Sequence, residues 1–227
     1  KISINMYLIS SVITTNKIAE ICEELGANWS DIIPALQLDN RIGKHAYLKP
    51  GLGISGGNLE RDLFTITSIS NNYNLDNSLF QLWNKISEYK KSWAWKKLKR
   101  FSLKNDENLQ ICILGLAYKE NTDSTKNSPA LKLLKKLKNK KVLIYDPKAK
   151  LDKKSNNFMQ VNSSIKAIKN SDVLLIMTPW PEFRKITSKK LLDNMRGKIV
   201  IDPYYILREQ KLSQKGFNYF AIGESFS

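Results

Sequence analysis

Residues 50–62 run Pro-Gly-Leu-Gly-Ile-Ser-Gly-Gly-Asn-Leu-Glu-Arg-Asp, with glycine at 51, 53, 56 and 57. Glycine loses more backbone entropy on folding than any other residue, so such a cluster marks tight turns or a backbone pressed against a ligand. An apolar helical pattern begins directly after Asn58, at Leu59. A glycine loop that feeds a helix start aims free N–H groups at one spot, which suits an anion or an oxyanion; a plain structural turn is the competing reading. Lys1 and Asn5 are one helical turn apart and share a face.

Further along, Gly115 to Ala130 places Lys119 and Lys126 ahead of Ser128-Pro129, a good helix cap and first-turn pair. The two lysines suit phosphates, or are simply solvated. Tyr145-Asp146-Pro147 offers an acid for a ribose hydroxyl, or an Asx-turn. Thr178 to Phe183 offers an aromatic platform around Trp180, or a rigid turn.

Two kinds of segment must position these residues. From 1 to 103 the apolar residues recur at three- and four-residue spacing, which predicts an almost entirely α region. It includes helices over most of 1–33, from Leu59 to about Tyr73, and a long aromatic-striped one from about Leu79 to Phe101. A polar linker follows at Lys104 to Asn108. From 104 to 227 short apolar strands alternate with helices: Gln110 to Leu114, Val142 to Tyr145, Val173 to Met177, Ile199 to Ile201 and a fifth candidate at Tyr219 to Ile222. Such runs predict α/β architecture with a doubly wound, Rossmann-like parallel sheet, whose ligands sit beyond the carboxyl ends of the strands. The loop after the first strand lacks the Gly-x-Gly-x-x-Gly dinucleotide pattern.

Composition narrows the function classes. The 227 residues carry 42% hydrophobic side chains, enough for real cores, and 37 Lys and Arg against 21 Asp and Glu, a net charge of +16. The lysines are dispersed and no nucleic-acid motif is visible, so small anionic ligands are expected rather than polynucleotides. No apolar run approaches the roughly 18 residues of a membrane span, and the N-terminus has no signal-peptide pattern. The first residue is Lys, which suits a piece of a longer protein. Cys22 and Cys112 lie in apolar patterns and His45 is the single histidine. A metal site and a Ser-His-Asp triad are therefore not expected, and a reducing, cytoplasmic setting is.

Taken together, the segments resemble the nucleotide-sugar (UDP-glucose/GDP-mannose) dehydrogenase family over essentially the whole chain. Lys1-Ile2-Ser3-Ile4-Asn5 resembles its Lys-x-x-x-Asn, Asp39-Asn40-Arg41-Ile42-Gly43 its Asp-x-Arg-Ile-Gly, and Pro50 to Asp62 its catalytic glycine loop. Gly115 to Ala130, Tyr145-Asp146-Pro147, Thr178 to Phe183 and Asp202 follow in register. The resemblance implies a helical middle, dimer-forming domain (1–103) and a C-terminal Rossmann-like nucleotide-sugar domain (104–227), the family's NAD-binding domain lying outside the chain. It implies NAD as cofactor, a nucleotide sugar (most simply a UDP-sugar) as substrate, and a homodimer built through 1–103. By position, Lys1 and Asn5 stabilise a developing oxyanion and position water, and Asp62 acts as base or orders water. Gly53 and Gly56 belong to the substrate loop, Lys119 reaches the substrate, Arg41 comes from a partner subunit, and Tyr47 lines the pocket. Lys126 stands near the cofactor pyrophosphate, where an Arg is usual.

One departure dominates. Asn58 stands where the resemblance places the catalytic cysteine, and a carboxamide is no nucleophile at neutral pH. Glu60 stands where Pro is common, and Tyr204 where an Arg is. The expectation is a dehydrogenase homologue limited to a two-electron oxidation; a full four-electron enzyme by another route and a catalytically inactive nucleotide-sugar-binding homologue are the alternatives.

Overall fold

A computed structural model describes residues 1–101, 109–151 and 157–225. The expected linker 104–108 lies outside the described residues. The chain divides into two compact units, Lys1–Lys91 with the residues from Ile222 onward, and Ser92–Ala221. The expected division at 103/104 differs from this one because the long helix foreseen over 79–101 is two helices, α4 (Ser78–Lys91) and α5 (Trp93–Phe101), broken at Ser92. Helix α5 belongs to the sheet unit: Leu98 is fully buried, and the Phe101 ring lies 4.4 Å from that of Phe220.

The first unit is helical. Its elements are α1 (Ile2–Leu25), α2 (Trp29–Leu38), α3 (Asn58–Asn72) and α4. Met6, Ile9 and Ile13 of α1 pack against Ile54 of the glycine loop and Leu63 of α3, with Phe80, Trp83 and Ile86 of α4 closing the cluster. Gly26 ends α1 in the left-handed conformation that glycine tolerates best. Trp29 is buried, and its indole N–H donates to the Leu48 carbonyl at 2.7 Å. The apolar residues of α1 do not all face one way. Ile4, Tyr7, Ile18, Ile21 and Leu25 remain exposed on the side away from the core.

The second unit is a six-stranded, all-parallel sheet in the order β3-β2-β1-β4-β5-β6, as the doubly wound expectation required. The strands are β1 (Gln110–Leu114), β2 (Lys141–Tyr145), β3 (Phe158–Gln160), β4 (Val173–Ile176), β5 (Ile199–Ile201) and β6 (Asn218–Phe220). Helices α6 (Pro129–Lys136), α7 (Ser164–Ile168) and α8 (Ser188–Asn194) lie between strands along the chain. Strand β3 went unforeseen because a three-residue edge strand with an exposed Met159 has no apolar run to betray it. Central β1 and β4 are almost wholly buried, as parallel strands covered on both faces must be.

Chain order reverses between β1 and β4, and the loops leaving these strands are locked together there. A Cβ on Gly115 would lie 2.5 Å from Thr178, whose hydroxyl donates to the Ala117 carbonyl at 2.6 Å. Asp146, at the end of β2, is the hub. Its Oδ2 accepts from the backbone of Leu116 (2.6 Å) and Ala117 (3.0 Å) and from the Trp180 indole (3.1 Å). Its Oδ1 accepts from the backbone of Lys148 (2.8 Å) and Ala149 (2.7 Å). Among the described residues, no helix is long and apolar enough to cross a membrane.

Two stability predictions follow from the buried carboxylates of this unit. Asp146→Ala orphans five donors around one point, so denaturant unfolding should register a loss of about 3–5 kcal/mol; a loss under about 1 kcal/mol would refute the hub. Asp202 is fully buried, and burial pushes its carboxyl up to about 6 against the backbone N–H of Leu207 and the Tyr219 hydroxyl. The folded state then holds a proton that the unfolded chain, titrating near ~3.9, has released. Stability therefore falls as pH rises between these two values, and the loss is complete above the higher one. Asp202→Asn removes the charge, so its stabilisation at about pH 7.5 should exceed that at about pH 5 by ~1 kcal/mol or more. Equal effects at both pH values would contradict this.

Candidate functional site

The glycine loop and the starts of α1 and α3 come together in the helical unit. Gly53 and Gly56 have φ of 75° and 90°, and a Cβ on Gly53 would stand 2.6 Å from the Ser87 carbonyl oxygen. Glycine at 53 is thus required by conformation and by contact alike. The loop is tied down by the Gly51 N–H on Asn16 Oδ1 (2.8 Å) and the Ile54 N–H on Ser87 Oγ (2.8 Å). It ends at Gly57, which caps α3 without a side-chain bond. Asn58 therefore opens the helix, exposed, and Asp62 follows one turn later on the same side.

Packing of α1 on α3 through Ile9, Ile13 and Leu63 brings Asn5 to Asp62. The Asn5 amide Nδ2 donates to Asp62 Oδ2 at 2.6 Å. Arg61 donates from Nε (3.1 Å) and Nη2 (3.0 Å) to Oδ1. Asp62 is only 4% exposed. The Asn5 amide first, then Arg61, with the charge of Lys1 adding to them, holds its carboxyl below the usual range. It is consequently ionised at neutral pH and a weak proton acceptor. The arrangement suits it to orient Asn5 and to polarise a water more than to abstract a proton. The charge of Lys1 and the Asn5 amide thus lie near ionised Asp62, and the ammonium and amide are groups that can oppose a developing negative charge. Arg61 stands next to Asp62 in the glycine-loop run, but nothing in its residue type or spacing distinguishes it from a solvated helix residue.

The other anticipated residues sit elsewhere. Arg41 is an exposed turn residue held by Asp39 (Nη2 to Oδ2, 2.6 Å), and this ion pair lowers the Asp39 carboxyl. Tyr47 keeps its ring half exposed while its carbonyl accepts from the Thr15 hydroxyl at 2.9 Å. Lys119 and Lys126 belong to the sheet unit, both exposed on the loop after β1; the Lys119 ammonium lies 5.6 Å from the centre of the Tyr118 ring.

Two open readings resolve there. Asp146 makes the Asx-turn, with its oxygens occupied by five protein donors, so it is no ribose acceptor. Trp180 is 4% exposed and serves as a turn anchor, not a platform. With that acid engaged and the β1 loop pressed against Thr178, the sheet unit does not fit NAD as a dinucleotide cradle. Cys22 and Cys112 are both buried, and burial raises both thiols, Cys112 well above its ordinary value, so neither is a candidate nucleophile. Among the described residues no cluster of His, Cys, Asp or Glu is placed to hold a metal.

Comparison with known proteins bears on both units. Residues 1–89 match the central domain of the UDP-glucose/GDP-mannose dehydrogenase family, and residues 112–209 match that family's UDP binding domain. Among curated relatives, UDP-glucose 6-dehydrogenase of Rickettsia conorii is 29% identical over 98% of this chain and 53% of its own. The Drosophila melanogaster enzyme of the same name is 28% identical over 100% of this chain and 52% of its own. The chain thus spans about half the length of the relatives it matches. A solved UDP-D-ManNAc dehydrogenase from Pyrococcus horikoshii superposes with a TM-score of 0.78 at 28% identity, over 98% of this chain and 50% of that one. An NDP-N-acetyl-D-galactosaminuronic acid dehydrogenase from Methanosarcina mazei, 20% identical, shares the fold over 99% of this chain and 50% of that one, with a TM-score of 0.83. With its helical unit matched to the central domain and its parallel sheet to the UDP binding domain, the chain belongs to the UDP-glucose/GDP-mannose dehydrogenase family.

Proposed function

We propose that this chain supplies the substrate side of an NAD-dependent nucleotide-sugar oxidoreductase that stops after one two-electron oxidation of a sugar alcohol. The hydroxyl hydrogen leaves as a proton to water, the carbinol hydrogen leaves with its electron pair, and a carbonyl remains. NAD would supply the acceptor for that electron pair; the described residues do not build its cradle, so the reading concerns this chain's own groups. The Lys1 ammonium and the Asn5 amide oppose negative charge as the alkoxide forms, and Asp62 holds that amide in direction. The observation that carries the reading is the Asn5–Asp62 pair beside Lys1, one turn from Asn58. A thiohemiacetal needs a thiolate at that turn, and Asn58 cannot provide one. The sheet unit would hold the UDP moiety, in line with its family match.

The α1 stripe of Ile4, Tyr7, Ile18, Ile21 and Leu25 supports a homodimer through the helical unit. Ile4 and Tyr7 near one end and Ile18, Ile21 and Leu25 near the other lie on one face, since the eleven residues from Tyr7 to Ile18 make about three turns, and a second copy of the helix would cover it.

Two experiments test these readings. Full-length protein incubated with UDP-sugars and NAD+ should form one NADH per sugar oxidised. Two per sugar would overturn the two-electron reading, and none with UDP-sugar binding retained would favour the inactive binding homologue. In the same assay Asn58→Cys should raise acid formation, and Asp62→Ala should lower kcat by roughly 10²–10³-fold. In sedimentation velocity, Tyr7→Glu combined with Ile21→Glu should convert a dimer to a monomer with its helical circular dichroism intact; a dimer that survives removes α1 from the interface.

A further inference from the structure

We infer that the last turn of α4 is the positioning element of the candidate site, acting through Lys91 and Ser87; the inference deepens the dehydrogenase reading and rests on it for its catalytic consequence. The Lys91 side chain is 2% exposed, yet its Nζ has a carboxylate on either side: Glu60 Oε1 at 2.6 Å and Glu88 Oε1 at 2.8 Å. Glu60 lies in the first turn of α3, between Asn58 and Asp62. A buried ammonium must keep its partners, so its position fixes that turn. Helix α3 needs such a fixture, because Gly57 caps it without a side-chain bond.

The same turn of α4 holds the preceding loop. The Ser87 hydroxyl accepts the Ile54 N–H at 2.8 Å, and the Ser87 carbonyl abuts Gly53 so closely that no Cβ fits between them. Loop and helix start are thus clamped from one side by residues one helical turn apart, while Asn5 and Lys1 approach Asp62 on α1. Neither Lys91 nor Ser87 touches the reacting groups; both act through the backbone that carries Asn58 and Asp62. Glu60, at a position where the family resemblance calls for Pro, gains a purpose: an ion pair fixes the turn that a ring would otherwise stiffen.

The test compares wild type, Lys91→Met and Lys91→Arg in the full-length protein. Methionine keeps the buried volume and lets the two partly exposed glutamates turn to water, so the fold should survive; arginine keeps the charge. In amide hydrogen exchange, peptides covering 54–62 should exchange ~10-fold faster or more in Lys91→Met, with α1 unchanged, and recover in Lys91→Arg. In turnover assays kcat should fall ~10–100-fold in Lys91→Met with the nucleotide-sugar KM within about twofold, since misplacement costs rate more than binding. Unchanged exchange at 54–62 overturns the inference whether or not the protein turns over. Faster exchange with unchanged kcat overturns the positioning role. A wild type without turnover would sink the dehydrogenase reading alone, leaving the exchange result to decide whether α4 clamps the loop.

Discussion

A carboxylate taken out of water must find donors for its oxygens, and that requirement organises both units of this chain. In the sheet unit Asp146 meets it with four backbone amides and an indole N–H, which joins the turns that follow β1, β2 and β4. Fixing those turns around one point gives the carboxyl edge of the sheet its shape. Asp202 meets it in full burial: Leu207 and Tyr219 serve Oδ2, and burial raises its carboxyl in spite of the hydrogen bonds it receives. Each of these side chains closes a strand, where the chain leaves the ladder and backbone N–H groups need new acceptors.

Asp62 answers the same demand at a rim instead of a core. Its donors are two side chains, the Asn5 amide and the Arg61 guanidinium, and no turn is built around it. Side chains can respond to a ligand in a way that sheet-end amides cannot. We therefore propose Asp62 as the acid of the candidate site, whereas Asp146, with five protein donors, serves the fold. This contrast separates two aspartates that look equally promising on paper.

Much of the fold was legible because period and composition report burial directly. Unbroken runs such as Ile111 to Leu114 and Val173 to Ile176 admit little but a covered parallel strand. The alternation with helices then leads to the doubly wound sheet. What was illegible lacked such a signal. Phe158 to Gln160 pairs only at an edge, and the stop at Ser92 falls inside an amphipathic pattern that continues on both sides of it. Likewise the three- and four-residue spacing in α1 predicts a helix without saying which side is covered: Met6, Ile9 and Ile13 turn to the core, and Ile4, Tyr7 and Ile21 turn outward.

The sequence by itself determined the kinds of chemistry available: a glycine loop opening a helix, a Lys–Asn pair one turn apart, an acid on the helix that follows, and a carboxamide at the turn between them. These are local properties, carried by residue type and spacing along one element. Only the tertiary structure decided which of them act together. It joined Asn5 to Asp62 across 57 positions of chain, brought Lys91 beneath Glu60 from another helix, and removed Asp146 and Trp180 from the list of ligand contacts by spending their hydrogen bonds on the fold. Hydrogen bonds and ion pairs between distant residues depend on how helices and strands pack, and packing is a property of surfaces in contact that no single segment encodes.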